Sequence, residues 1–270
     1  NVATHIQTSM LPCIFPAFPQ YREFDVFASM TPAREVGGDF YDFFMVDDDH
    51  IALVMADVSG KGVPAALFMA ISKVLIKTSV QAGRSPGESL ERVNNQLLEG
   101  NDTGLFVTVW LAVIDIRTGK GVAANAGHEH PVVRKAGGDF EIVKYKHSPA
   151  VATIEGIQYK EHEFILEPGD CVFVYTDGVT EATNENMELM GEERMIEALN
   201  KYKDADSSEI LPAVKSEIDI FAGSAPQFDD ITMLMLDFKP KQGTKQLVSR
   251  TFSAKTEALS DVLGFVDQML

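Results

Sequence analysis

The order of the predicted elements indicates an α+β fold, in which two antiparallel β-sheets stack on each other with helices outside. Two observations predict it: helical patterns come in pairs between groups of strand-like segments, and several strands are joined by short polar turns. A doubly wound parallel sheet would instead alternate single strands and helices. The 270 residues, 45% of them hydrophobic, suffice for one large domain plus a fragment.

Alternating or continuous apolar runs predict the strands. The segment Cys171–Tyr175 is an unbroken apolar run, which is typical of a central strand. The acidic segment Asp47–His50 separates two runs of a hairpin, and we interpret it as a solvated turn and not as a metal site. The predicted strands cover residues 24–30, 40–46, 51–56, 105–115, 121–125, 131–135, 140–143, 159–166, 171–175 and 231–238.

Apolar residues at a spacing of 3.6 predict the helices. Pro64 suits the first position of one helix. Ser85 and Glu88 form a capping-box pattern at the start of the next. The helical patterns cover residues 1–11, a stretch after Pro64, a stretch after Ser85, and residues 192–202 and 208–221.

The sequence divides into three segments. Residues 1–12 are interpreted as the end of an N-terminal linker helix, whose beginning lies before Asn1. Residues 13–240 form the main domain. After Lys239–Gly243 the pattern changes, and residues 241–270 start a new strand and helix, which we interpret as the opening of a further, truncated domain.

Composition excludes several classes of function. The formal charge is −17, which disfavours nucleic acid as a partner because binding to its backbone needs a basic face. Two distant cysteines, Cys13 and Cys171, indicate a reducing cytoplasmic compartment rather than a disulfide framework. No apolar run approaches about 18 residues, so we expect no membrane contact by this fragment.

Four aspartates lie at the ends of predicted strands. Asp57 and Asp177 directly follow buried strands, whereas Asp39 and Asp229 precede strands. In an antiparallel sheet the end of one strand lies beside the start of its neighbour, so all four can meet at one edge. Their mutual repulsion requires cations, and oxygen ligands favour Mg²⁺ or Mn²⁺, two ions sharing one bridging aspartate.

Single residues near these aspartates carry less information. We interpret Asp42 and Asp170 as turn or capping residues. Lys61 and Arg34 are candidates for contact with a substrate phosphate. A solvated lysine is the preferred interpretation of Lys61, whereas a surface position explains Arg34 equally well. His128 is a candidate proton donor, but a turn histidine bonded to backbone is the preferred interpretation.

Five ordered motifs resemble the metal-dependent PPM-type protein serine/threonine phosphatases, specifically the bacterial SpoIIE/RsbU-like branch. The resemblance covers residues 12–239, and the five motifs together make it specific. They are Glu35–Asp42, Asp57–Gly62, Asn125–His128, Tyr175–Ala182 and Asp229–Thr232.

The resemblance implies an α-β-β-α sandwich with two Mn²⁺ or Mg²⁺ ions at one edge. It implies that Asp57 bridges the ions with help from the Val58 carbonyl. It also implies that Asp177 and Asp229 bind the first ion and that Asp39 lies on the side of the second. The implied reaction is direct hydrolysis of phosphoserine or phosphothreonine by a metal-activated water.

The resemblance further implies partners. The implied substrate is a phosphorylated STAS-domain anti-anti-sigma protein in bacterial signalling. The N-terminal helix resembles the linker to an upstream sensor, which is compatible with a homodimer and with a membrane anchor elsewhere in a longer protein. Residues 247–270 resemble the start of an anti-sigma-type histidine-kinase-like ATPase domain, without its ATP-binding motifs.

Two other functions remain open from the residues alone. A non-catalytic binding module on the same fold would use the site to hold a partner. A haloacid-dehalogenase-type phosphatase would need acids two residues apart after a strand, whereas Asp229 and Asp230 are adjacent and precede one.

Overall fold

The computed structural model describes the backbone of residues 2–239 and the side chains of residues 4–239. The chain divides into two compact units, residues 1–240 and residues 241–270. The second unit lies outside the described residues, so its interpretation as an ATPase-like fragment stays a prediction.

In residues 2–239, ten strands form two five-stranded sheets, in which every pairing is antiparallel. Sheet A has the order β1-β10-β9-β6-β7, and sheet B has the order β2-β3-β4-β5-β8. The strands are β1 (Phe24–Thr31), β2 (Phe40–Met45), β3 (His50–Val58), β4 (Val107–Asp115), β5 (Lys120–Ala126), β6 (Val132–Arg134), β7 (Phe140–Ile142), β8 (Glu161–Ile165), β9 (Cys171–Tyr175) and β10 (Ile231–Phe238).

Five α-helices accompany the sheets in the described part of the chain. Helices α2 and α3 pack on sheet B, and α4 and α5 pack on sheet A, so the layers run helix, sheet, sheet, helix. The predicted α+β sandwich is therefore confirmed. The helices are α1 (Val2–Met10), α2 (Val63–Gln81), α3 (Pro86–Leu98), α4 (Gly191–Lys201) and α5 (Ser207–Ala222).

Local sequence accounts for the helix starts. Gly62 adopts a positive φ of 79° just before α2, a conformation that glycine adopts without strain, and Pro64 follows in the first turn. At α3 the Ser85 side chain accepts a hydrogen bond from the Glu88 amide, and the Glu88 side chain accepts one from the Ser85 amide. The predicted capping box is thus confirmed.

The main hydrophobic core lies between the two sheets and under α2 and α3. Its largest fully buried side chains include Trp110, Phe40 and Leu53. A second cluster, including Phe173 and Tyr175, lies between sheet A and helices α4 and α5. Strand β9 is buried along its whole length at the centre of sheet A, as its apolar run predicts.

Helix α2 bears on the expectation that no segment of this chain is apolar enough to span a membrane. Among the described residues it is the one helix that is long and apolar enough to cross a membrane, by length and composition only. Its residues Ala65, Met69 and Ile76 are buried, and the helix packs against β3 and α3. One third of the apolar window is buried in this packing, and a single helix of this length and composition is weak evidence for a membrane span.

Candidate active site

The strand registers bring the four predicted aspartates to one edge of the sandwich. In sheet B, Phe40 pairs with Ala56, which places Asp39 beside Asp57. In sheet A, Met233 pairs with Tyr175, which brings the start of β10, with Asp229, to the end of β9, with Asp177. Each sheet thus contributes two aspartates. One lies before the start of a strand (Asp39 and Asp229), and the other lies at or just after the end of a strand (Asp57 and Asp177).

Asp39 connects the two sheets. Its carboxyl is buried, 2% exposed, and its Oδ2 accepts hydrogen bonds from Thr176 Oγ1 at 2.7 Å and Thr232 Oγ1 at 2.5 Å. Burial, and then repulsion from Asp57, raise the pKa of Asp39 well above its usual value, although the two hydroxyls oppose the shift. Sequence reasoning missed both threonines. Their positions, directly before Asp177 and directly after Asp230–Ile231, are the signal that could have placed them at the site.

Asp57 and Asp177 are partly buried, and both resist ionisation. Burial, and then repulsion from Asp177, raise the pKa of Asp57 to about 7, while a hydrogen bond from Asp39 partly offsets this. Burial, and then repulsion from Glu181 and Asp229, raise the pKa of Asp177 to about 6. Among the described residues, neither Asp57 nor Asp177 has a positive charge nearby that offsets this repulsion.

Asp229 differs because a lysine pairs with it. Lys61 Nζ lies 2.8 Å from Asp229 Oδ2, donates to the Phe228 carbonyl at 2.8 Å, and lies 4.1 Å from the centre of the Phe228 ring. The Lys61 side chain is thus ion-paired while 30% exposed, and its contact with a substrate phosphate stays a prediction. The lysine sits at the edge of the acidic cluster, where a phosphate oxygen could replace Asp229 as its partner.

Two glycines before Asp39 allow close backbone approach. A Cβ on Gly38 would lie 2.5 Å from the Val58 carbonyl oxygen, and a Cβ on Gly37 would lie 1.6 Å from Asp230 Oδ2. Asp230 Oδ1 also accepts a hydrogen bond from the Ala33 amide at 2.8 Å. Asp230 thus fixes the loop that carries Asp39, and only glycine leaves Val58 and Asp39 this close together.

His128 is a buried strut between the sheets. Its Nδ1 lies 2.9 Å from Thr108 Oγ1 on β4, and its Nε2 lies 2.9 Å from the Tyr175 carbonyl oxygen on β9. Burial lowers the pKa of His128 to about 4, so the ring is neutral, donates from Nε2 and accepts at Nδ1. Thr108 pairs with Asp57 in the register, so His128 ties the strand ends that carry Asp57 and Asp177.

The structure bears differently on the sequence-based interpretations of Arg34 and Asp42. Arg34 is exposed on the loop before Asp39, and its contact with a phosphate stays a prediction. Asp42 is not a turn residue, because it lies inside β2, is buried, and pairs with Lys73 Nζ on α2 at 2.5 Å. The sequence pattern gave no sign of that partner, which lies 31 residues away.

The donor chemistry of the cluster fits a hard divalent cation. Its ligands would be carboxylate and carbonyl oxygens, and burial together with repulsion raises the pKa values of Asp39, Asp57 and Asp177. Across residues 2–239, however, no three Asp, Glu, His or Cys side chains already form a closed ligand set. Ion binding therefore requires local re-pairing, above all of Asp39 with its threonines and of Asp229 with Lys61.

The arrangement combines groups that could bind cations and phosphate. Its carboxylates could hold cations, Lys61 lies at the edge of the cluster, and the Asp229 side chain is 33% exposed. Cations held by such carboxylates neutralise phosphate and activate water. The same acids without cations would repel a phosphate.

Comparisons with known proteins place the chain in a family. The family Stage II sporulation protein E (SpoIIE) matches residues 47–239, and the chain belongs to this family. Protein IcfG of Synechocystis is 32% identical across 85% of this chain and 40% of its own length. Phosphoserine phosphatase RsbU of Bacillus subtilis is 30% identical across 69% of this chain and 54% of its own length. The chain thus spans about half or less of these relatives.

Solved structures share the fold. The SiaA-PP2C domain of Pseudomonas aeruginosa superposes with a TM-score of 0.76 at 24% identity, covering 88% of this chain and 94% of that domain. The PP2C phosphatase domain of SpoIIE from Bacillus subtilis, solved with a fragment of its regulatory domain, superposes with a TM-score of 0.67 at 16% identity, covering 80% of this chain and 64% of that one. The predicted family and sandwich fold are confirmed.

Proposed function

We propose that this chain is a metal-dependent protein phosphatase domain that hydrolyses phosphoserine or phosphothreonine on a regulatory protein. The observation that carries the proposal is the convergence of Asp39, Asp57, Asp177 and Asp229 from two sheets in a SpoIIE-family fold. The name of the RsbU relative, a phosphoserine phosphatase, supports the substrate class.

The aspartates would hold Mn²⁺ or Mg²⁺, two ions per site. Asp57, with the neighbouring Val58 carbonyl, is the proposed bridging ligand, Asp177 and Asp229 the ligands of one ion, and Asp39 the ligand on the side of the other. Such ions supply Lewis-acid stabilisation of the phosphoryl oxygens and lower the pKa of water so that it can attack phosphorus.

The remaining residues position these groups. Thr176 and Thr232 orient Asp39, and the neutral His128 holds the strand ends that carry Asp57 and Asp177. Lys61, which pairs with Asp229, is our candidate for contact with a phosphate oxygen of the substrate. Arg34, on the exposed loop beside the cluster, is a second candidate for that contact.

The family resemblance supports a proposal for the substrate and the setting. We propose a phosphorylated STAS-domain protein as substrate, a cytoplasmic location, and control by an upstream sensor through α1. Helix α1 contacts the site loop directly, since Gln7 Nε2 donates to the Gly37 carbonyl at 2.7 Å and Gln7 Oε1 accepts from the Gly37 amide at 3.1 Å. A dimer formed through α1 could therefore move the loop that carries Asp39.

A dephosphorylation screen tests the proposal. Phosphorylated STAS-domain proteins are incubated with the chain and Mn²⁺, and the released phosphate is measured. We expect release by the native chain and none by Asp177→Asn, with Asp48→Asn, altered in the solvated turn, as the matched control. Tight Mn²⁺ binding without hydrolysis of any phosphoserine substrate would favour a non-catalytic binding module instead.

A further inference from the structure

A cavity of about 240 Å³ opens beside the acidic cluster. It lies between the segment that follows β9, the last turns of α5, and the loop that leads into β10. Both Gly178, next to Asp177, and Asp229 line it, so its mouth adjoins the proposed metal ligands. Pockets for free small molecules usually measure roughly 300–1,000 Å³, and this smaller volume suits a single side chain.

More of the cavity lining is apolar than polar. Ile218 and Ile231, both buried, line it together with Ala222, Ala225 and Pro226. The small side chains of Ala222 and Ala225 leave the space open. An apolar group that entered it would be removed from water on several sides, which is favourable in proportion to the area buried.

The acids that line the cavity do not make it a site for a cation. Lys215 Nζ lies 2.5 Å from Asp219, whose side chain is 62% exposed, and Lys61 pairs with Asp229. Glu181 is the remaining acid of the lining. One unpaired carboxylate in contact with solvent is a poor partner for a substrate lysine, and it would repel a substrate carboxylate.

Phe228 marks the rim of the cavity toward the site. It directly precedes Asp229 and is 72% exposed, an unusual exposure for a phenylalanine. Lys61 covers one part of its ring at 4.1 Å. Exposed aromatic side chains beside a pocket are typical anchors of protein contacts.

We propose that this cavity binds an apolar side chain of the phosphoprotein substrate, located within a few residues of the phosphoserine. The inference rests on the proposed phosphatase function and adds the sequence preference of the same site. The side chain enters past Phe228 and packs against Ile218 and Ala222, which holds the phosphoserine over the aspartates. The cavity thus selects for leucine-like residues and against charged ones.

Phosphopeptides test the preference. Each of a series carries one phosphoserine and Leu, Ala, Lys or Glu at one flanking position at a time. Both kcat/KM with Mn²⁺ and the affinity of the fluorescently labelled peptide are measured. At one position we expect the Leu peptide to exceed the Ala peptide about tenfold in both quantities, with Lys and Glu no better than Ala.

Variants that fill the cavity provide the decisive comparison. Ala222→Phe and Ala225→Phe should each remove the Leu preference and leave hydrolysis of p-nitrophenyl phosphate unchanged, since that substrate has no flanking residues. Ser216→Phe adds the same ring to an exposed position of α5 outside the cavity, and it should retain the preference. Two variants that fill the cavity are used so that the test still stands if one of them fails to fold.

The outcomes separate the two proposals. A preference for Lys or Glu, no preference at any flanking position, or a Leu preference that survives both filling variants would overturn the cavity proposal. Failure to hydrolyse both p-nitrophenyl phosphate and the peptides would instead overturn the phosphatase function. The peptide affinities need no turnover, so they decide the role of the cavity in either case.

Discussion

Two buried aspartates in this molecule have opposite electrostatic surroundings. Asp39 is 2% exposed and Asp170 is 1% exposed. Burial alone would raise the pKa of Asp170, but hydrogen bonds from Lys135 Nζ at 2.6 Å and from the amides of Glu167 and Ala136 outweigh it and lower the pKa. Asp39 is bonded to neutral hydroxyls and faces Asp57, and its pKa is raised.

The difference separates structure from function. Asp170 is fully paired within the chain, so its charge stabilises the turn between β8 and β9. Asp39, Asp57 and Asp177 lie together without a cationic partner among the described residues, at some cost in stability, and this supports our proposal that an external cation completes the cluster. Two equally buried aspartates can therefore have different roles, and the groups bonded to each carboxylate determine which role it has.

The largest expected effect is on activity. Asp57→Asn should lower hydrolysis of a phosphoserine peptide with Mn²⁺ about a thousandfold, because a lost ligand removes several kcal/mol of charge stabilisation in the transition state. Asp170→Asn should leave kcat/KM of the folded enzyme within about twofold of the native value. Equal losses of activity in Asp57→Asn and Asp170→Asn would contradict the distinction between a catalytic and a structural aspartate.

Stability should respond in the opposite sense. In urea titrations with a metal chelator, Asp170→Asn should lose about 2 kcal/mol of unfolding free energy, because charge-assisted hydrogen bonds are lost at a buried site. Asp57→Asn should be unchanged or gain about 1 kcal/mol, because repulsion with Asp177 disappears. A clear loss of stability in Asp57→Asn would show that its charge is satisfied within the chain.

A smaller effect is expected at the strut between the sheets. His128→Phe removes the bonds to Thr108 and to the Tyr175 carbonyl while filling similar space. We expect Mn²⁺ affinity, measured by calorimetry, to fall about tenfold, since Asp57 and Asp177 are no longer held in register. His50→Phe, at the first residue of β3, where the ring bonds Asp47, is the control and should keep native affinity.

The smallest effect is expected at the N-terminal helix. Gln7→Ala removes two hydrogen bonds to Gly37 and should lower Mn²⁺ affinity about threefold. Thr8→Ala, on the exposed side of the same helix, is the control: it tests whether a change in α1 away from Gly37 also alters Mn²⁺ affinity. Identical affinity in Gln7→Ala and the native chain would argue against control of the site through this contact.

Much of the fold could be predicted because it depends on local pattern. Strand β9 reads as a continuous apolar run, and helix α3 carries its capping box at Ser85 and Glu88. The edge that unites Asp57 with Asp39 follows from antiparallel pairing alone. These features need no knowledge of distant contacts.

The remainder depends on contacts between residues far apart in sequence. Asp42 was interpreted as a turn residue because nothing near it in sequence reveals Lys73 on α2. The hydroxyls on Asp39 come from Thr176 and Thr232, 137 and 193 residues away. The role of His128 depends on a carbonyl in the other sheet. Such partners appear only once both sheets are assembled.

Calorimetric titration of the metal-free chain with Mn²⁺ tests the central claim most directly. The account predicts saturable binding by the native chain, its loss in Asp57→Asn, and native binding in Asp170→Asn. Binding that is equally strong in Asp57→Asn, or absent from the native chain, would contradict the claim that these carboxylates form a cation site.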